Sequence, residues 1–211
     1  MFAKADPDFL CYEISMSKLK LSFYRRETKK VAHELLGKKL VRIYKGQRIS
    51  GIITEVEAYL GVKDKAAHSY GDRRTPRTEI MYGEGGHAYI YFIYGMYNCF
   101  NVVTQTKEVP EAVLIRALEP LEGIELMKKF RQKENLKDLT TGPGKLAEAM
   151  HLTRELNGER LDSKVLFIED AEIIPGHHVV KKPRIGVDYA GTHALHPLRY
   201  YLKNNIYISK I

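Results

Sequence analysis

Cysteine is scarce in this sequence: 2 of 211 residues, Cys11 and Cys99, far apart and never in a Cys-x-x-Cys spacing. That excludes a dense disulfide scaffold and a four-cysteine zinc or iron–sulfur site. The 8 histidines contain no His-x-x-x-His pair, so the helical zinc-hydrolase motif is also missing, and His177-His178 reads as surface rather than as metal ligands. No run approaches the length of an apolar membrane span, and residues 1–15 lack the basic start and apolar stretch of a secretory signal. Neither repeat nor low-complexity linker divides the chain. These absences lead us to expect no membrane association and a reducing setting, cytoplasmic and associated with nucleic acid.

What is present suits one folded domain: 44% hydrophobic and 28% charged residues in a chain long enough for a sizeable core. Residues 1–15, which precede a second methionine at Met16, read as an extension without an assigned role, and 16–211 as the domain. A net charge of +8 favours a polyanionic partner. Of the 14 tyrosines, 7 fall between Tyr59 and Tyr97. Stacking surface together with positive charge points to a nucleic-acid base as substrate.

The spacing predicts a helix over 27–36 stopped by Gly37, then strands over 40–44 and 49–57 joined by a turn at Lys45-Gly46-Gln47. Residues 61–86 are polar and rich in Gly, Pro and Arg, and read as one long functional loop. A second hairpin pairs 88–94 with 97–104 around Gly95-Met96. A strand over 112–117, helices over 121–133 and 143–150, and short strands at 164–169, 173–174, 179–180 and 199–203 complete the chain. The expected fold is a single α+β domain whose sheet is mostly antiparallel, with helices over one side.

Glu55 and Glu57 lie two apart on a strand and so share a face. On the residues alone they read first as solvated strand residues, and otherwise as an acid–base pair or as one catalytic carboxylate beside a charge-neutralised partner. Arg116 sits in an apolar strand and needs a carboxylate, a phosphate or bound water if buried. Tyr59, His68 and Tyr91 are flat groups able to sandwich a base, whereas Tyr89 and Phe92 read as core. Tyr94, beside the hairpin tip, suits a wedge that fills the gap left by a flipped nucleotide. Gly142 to Lys145 is too short for a phosphate loop, yet a helix start with Lys145 could hold a DNA phosphate.

Taken in order, Glu55-Val56-Glu57-Ala58-Tyr59-Leu60-Gly61, Ala66-Ala67-His68-Ser69, Thr75-Pro76-Arg77, Tyr91-Phe92-Ile93-Tyr94-Gly95-Met96-Tyr97, Asn101 and Arg116-Ala117-Leu118-Glu119-Pro120 closely resemble the alkyladenine (3-methyladenine) DNA glycosylases. Gly142-Pro143-Gly144-Lys145-Leu146 and Arg184-Ile185-Gly186-Val187 extend the likeness, which runs from about Leu35 to Arg199. The resemblance implies a curved sheet or open barrel with flanking helices, similar to the C-terminal domain of methionyl-tRNA formyltransferase. It also implies a monofunctional, metal-free and cofactor-free monomer that acts on damaged purines in double-stranded DNA.

By the same resemblance Glu57 activates the hydrolytic water, Arg116 helps hold it, and Tyr59, His68 and Tyr91 enclose the base. Tyr94 is the intercalating wedge, Asn101 crowds the 2-amino group of guanine, and Met96, Tyr97, Arg77 and Lys145 contact DNA. His87, its Glu84-Gly85-Gly86 approach and the pair Asp188-Tyr189 depart from the family pattern at positions that bear on substrate range. Two other classes stay open on the residues alone: a non-catalytic RNA-binding module, and a metal-dependent nuclease using Glu55, Glu57 and His68.

Overall fold

The computed structural model describes residues 17–93, 95–171 and 175–209. Tyr94, residues 1–15 and the expected strand at 173–174 lie outside them. Two short helices, α1 (Leu21–Tyr24) and α2 (Thr28–Leu35), open the chain, and Gly37 at φ 82 supplies the left-handed residue that ends α2. A hairpin of β1 (Lys39–Tyr44) and β2 (Gln47–Tyr59) turns at Lys45-Gly46, both at positive φ.

A second hairpin follows, β3 (Ala88–Ile93) with β4 (Tyr97–Thr104), and then β5 (Glu111–Glu122). After them come α3 (Ile124–Arg131), α4 (Leu136–Thr140), α5 (Pro143–Ala149), β6 (Leu166–Glu169), β7 (Val179–Lys182) and β8 (Arg199–Leu202). The expected helix over 121–133 therefore starts later, because Leu121 and Glu122 continue the strand opposite β2.

All pairings between named strands are antiparallel, in the order β3-β4-β5-β2-β1-β6, with β8 against β2 and β7 against β8. This is the expected α+β domain with a curled antiparallel sheet. The long strand β2 changes partners along one edge: residues 47–52 pair with β1, and residues 55–57 pair with β8. The register against β5 shifts at three places along this stretch, at Leu121 and Arg116 on β5 and at Thr54 on β2. Each leaves an extra residue that bends the strand and sharpens the local twist, so the sheet curls where Glu55 and Arg116 meet.

Strand alternation then sorts the residues onto two faces. Val56, Ala58, Ala88, Ile90, Phe100, Val102, Val113 and Ile115 turn toward the helices and are buried in one core with Val31, Leu35, Met127, Leu139 and Leu146. The alternate positions form the concave face. Phe92 has the parity of the core face but is 45% exposed, which corrects its expected burial. Ile90 belongs to the main core cluster, whereas Phe92, two residues nearer the hairpin tip, does not and borders an open groove with Arg154 and Glu155. Tyr89 is buried, as expected, though in a separate cluster with Met81, Val103 and Ala112 on the concave side.

Residues 61–86 are not the structureless loop expected. Three short 3-10 turns, Gly61–Lys63, Tyr70–Asp72 and Glu79–Tyr82, shape the segment. Asp64 anchors its start by accepting from the backbone of Leu60 and Ala66.

Candidate active site

A cavity of about 380 Å³ opens on the concave face, within the size range of small-molecule pockets. Its floor comes from alternate residues of four strands: Tyr59 of β2, Ala112, Leu114 and Arg116 of β5, Tyr97, Cys99 and Asn101 of β4, and Tyr89, Tyr91 and Ile93 of β3. Register explains the convergence. Arg199, Glu57, Leu114, Asn101 and Tyr89 are successive cross-strand partners, one row running over β8, β2, β5, β4 and β3. Ala66, His68 and Met81 from segment 61–86, Pro143 and Gly144 at the start of α5, and Ile185, Gly186, Val187 and Tyr189 supply the walls.

Glu57 is fully buried immediately behind this lining rather than solvated. Its Oε2 accepts from the Tyr59 hydroxyl at 2.9 Å and from Arg116 Nη1 at 3.2 Å, while Oε1 accepts from the Ile185 amide at 2.8 Å. Glu55 is equally buried, but its partners differ. Arg199 Nη1 donates to Oε1 at 2.9 Å, the Ser209 hydroxyl to Oε1 at 3.0 Å and the Ser209 amide to Oε2 at 2.6 Å, with Arg116 Nε 3.4 Å away. Two carboxylates and two guanidiniums thus share one buried site, each charge compensated, as burial demands.

Burial alone would lower the Arg116 pKa; Glu57 and Glu55 outweigh it and raise it above the ordinary value. Burial, reinforced by Glu57, holds the Tyr59 hydroxyl well above its usual range, so it stays a proton-bearing donor. Of the readings left open for the pair, the site matches one carboxylate at the cavity and a second neutralised by basic neighbours. The nuclease reading weakens, since the Glu55 oxygens already serve Arg199 and Ser209.

Three of the aromatic residues, His68, Tyr89 and Tyr91, are in mutual contact along the cavity. His68 and Tyr91 touch edge to face, centroids 4.6 Å apart at 78°, and His68 Nδ1 lies 2.8 Å from the Tyr89 hydroxyl. Since Arg77 can only donate, its contact with His68 Nε2 at 3.4 Å makes Nε2 the acceptor and Nδ1–H the donor to Tyr89. Burial, then Arg77 and Arg73, lowers the His68 pKa to about 4. Arg77 also lies over the Tyr91 ring at 4.9 Å, and Arg184 over Tyr59 at 4.8 Å.

Arg184 is buried and bound to Asp64 and to the Ala58 carbonyl, tying the cavity's far wall to β2. Asn101 is buried on the floor, its amide donating to the Tyr89 carbonyl. Met96 is 66% exposed at the hairpin tip, and Tyr97 lies half-exposed against Gly144 at the cavity edge. Lys145 stands on the first turn of α5 with its ammonium 3.7 Å from Asp138.

Sequence reasoning left several contributors without a role: Arg184, the Ile185 amide, Cys99, Tyr189 and Ser209. The Arg184-Ile185-Gly186-Val187 run was the visible signal, and Gly186 at φ 74 marks the turn that delivers the Ile185 amide. Tyr189, one of the departures from the family pattern, is 72% exposed on the cavity rim, its hydroxyl donating to the Ala66 carbonyl.

A family model described as methylpurine-DNA glycosylase (MPG) matches residues 22–206. Among curated relatives, a Bacillus cytotoxicus protein named "Putative 3-methyladenine DNA glycosylase" is 51% identical over 198 residues, covering 89% of this chain and 97% of its own. Proteins of the same name from Bacillus cereus and Bacillus mycoides are each 50% identical over 199 residues, covering 90% of this chain and 97% or 98% of theirs. The chain belongs to the methylpurine-DNA glycosylase family and is a DNA-repair hydrolase acting on methylated purines in DNA.

Proposed function

We propose that the protein flips alkylated purines such as 3-methyladenine and 7-methylguanine out of duplex DNA into the concave cavity and hydrolyses the N-glycosidic bond there. The observation that carries this reading is the fully buried Glu57, ion-paired with Arg116 directly behind an aromatic cavity of about 380 Å³. Three donors occupy three of its about four acceptor positions. The remaining one is free to take the proton of an attacking water, while the carboxylate charge stabilises oxocarbenium character at C1′. Arg116, bonded to Glu57 through Nη1, helps place the water. The wall of Tyr91 and His68, with Tyr59 beside Glu57, receives the base, and Asn101 on the floor excludes the 2-amino group of guanine. Tyr94, with Met96 and Tyr97 at the same tip, fills the gap in the helix.

Alkylation at N3 or N7 leaves the purine cationic and already a good leaving group. Neutral lesions such as hypoxanthine or ethenoadenine need a proton from a general acid. Glu55 cannot supply it, being bound to Arg199 and Ser209. Cationic lesions are therefore excised faster, and single-turnover release of hypoxanthine ahead of 3-methyladenine would sink that ranking.

No lysine adjoins Glu57 in its strand, so the product is an abasic site without Schiff-base strand cleavage. The deciding experiment incubates the protein with alkylated duplex DNA in EDTA and assays free base and nicking before and after alkali. Free base with alkali-dependent nicking supports the reading; nicking without alkali, or no base release in EDTA, overturns it.

A further inference from the structure

Arg116 faces two carboxylates and can serve Glu57 only while Glu55 is otherwise satisfied. Arg199 contributes one donor to Glu55 Oε1; the Ser209 hydroxyl donates to the same oxygen, and the Ser209 amide is the hydrogen-bond donor at Oε2. The Ser209 Oγ in turn accepts from Arg116 Nη2 at 3.3 Å. Ser209 therefore touches both Glu55 and Arg116 and is not among the residues that line the cavity.

The segment that brings it there is pinned at each step. The Asn205 amide donates to Glu119 at 3.1 Å, the Asn205 side-chain oxygen accepts from the Tyr207 amide at 2.7 Å, and the Tyr207 carbonyl accepts from Thr54 Oγ1. Thr54 is the extra residue of the β2 bulge next to Glu55. The strap thus crosses the sheet where it curls.

We propose that residues 205–209 are a positioning strap for the glycosylase reaction, with Ser209 as the positioning residue: by donating to Glu55 and accepting from Nη2, its hydroxyl commits the Nη1 edge of Arg116 to Glu57. Without that hydroxyl, Glu55 Oε1 loses a donor at a buried site, Nη2 loses its acceptor, and Glu55 draws the guanidinium, already 3.4 Å away through Nε, from Glu57. This inference rests on the assignment of Glu57 as the catalytic carboxylate.

The test measures single-turnover base release, binding to lesion-containing duplex and thermal melting for the parent, Glu57→Gln, Ser209→Ala, Ser209→Thr and Asn205→Ala. Ser209→Ala lowers the excision rate roughly tenfold or more, as small misplacements at reacting centres do, with binding kept within about twofold. Both variants keep the backbone amide, and Ser209→Thr, which also keeps the hydroxyl, restores the rate. Asn205→Ala loosens the strap without removing a group from the network and gives an intermediate loss; should Ser209→Ala fail to fold, this variant decides on the same readouts.

Parental excision by Ser209→Ala and Asn205→Ala overturns the inference. So does a joint fall of rate, binding and melting temperature that Ser209→Thr does not reverse. A parent that releases no base, or a Glu57→Gln variant as fast as the parent, refutes the underlying assignment instead, and the two failures are told apart.

Discussion

Glu55 and Glu57 have the same side chain, strand, face and complete burial, and only their partners separate them. Each accepts three hydrogen bonds; the donors to Glu57, namely Tyr59, Arg116 and Ile185, all line the cavity, whereas Arg199 and Ser209, the donors to Glu55, are not among its lining residues. Glu57→Gln should cut base release by on the order of 10²–10⁴-fold while leaving lesion binding intact, as gel-shift and single-turnover assays would register. Glu55→Gln should instead unfold easily, losing about 3–5 kcal/mol in denaturant titrations, since Arg116 and Arg199 are left undercompensated in the interior.

His68 adds a pH signature. Its native pKa of about 4 lies below the ordinary 6.5, so between those values the unfolded chain binds more protons than the native one. Stability is then complete above pH 6.5 and falls as pH drops toward 4, by up to about 3 kcal/mol at 1.36 kcal/mol per unit. Urea titrations at pH 4.5 and 7 measure the difference, and His68→Gln should flatten it.

At the scale of elements, the β2–β5 pair carries the site: Arg116 shares the face of Leu114, the partner of Glu57, and the register shifts at Thr54 and Arg116 curl the sheet beside Glu55. Gly51, near the start of that pairing, has no room for a side chain: a Cβ would stand 2.8 Å from the Glu119 carbonyl oxygen and 3.1 Å from the Leu118 Cβ. Gly51→Ala should cost about 1–3 kcal/mol in denaturant and slow excision by shifting β5 under Arg116.

Strand and hairpin periods made β1, β2, β3 and β4 legible to within two or three residues, because alternation and turn residues are local signals. The bulges were not legible, since a skipped residue leaves no mark in a single strand; it exists only against a partner. The exposure of Phe92 escaped for a similar reason. Alternation fixes the face a side chain takes, not whether a helix extends far enough to cover it.

For the whole molecule, the +8 charge predicts salt-sensitive binding. With about five phosphate contacts, affinity for duplex DNA should fall on the order of 10²–10³-fold between 50 and 200 mM salt, measurable by fluorescence anisotropy. Glu57→Gln should show the same slope, because a group outside the phosphate contacts releases no counterions.

The sequence by itself determined the chemistry available: a cluster of tyrosines, paired glutamates, an arginine in an apolar strand, and motifs whose order carried the family, all of them local or linear properties. Only the tertiary structure decided which glutamate takes its donors from the cavity lining, that His68 and Tyr91 touch, and that Arg184, the Ile185 amide and Ser209 join the buried groups around them. Those assignments depend on register across five strands and on segments more than a hundred residues apart in sequence, where burial makes each charge find a partner that linear spacing cannot name.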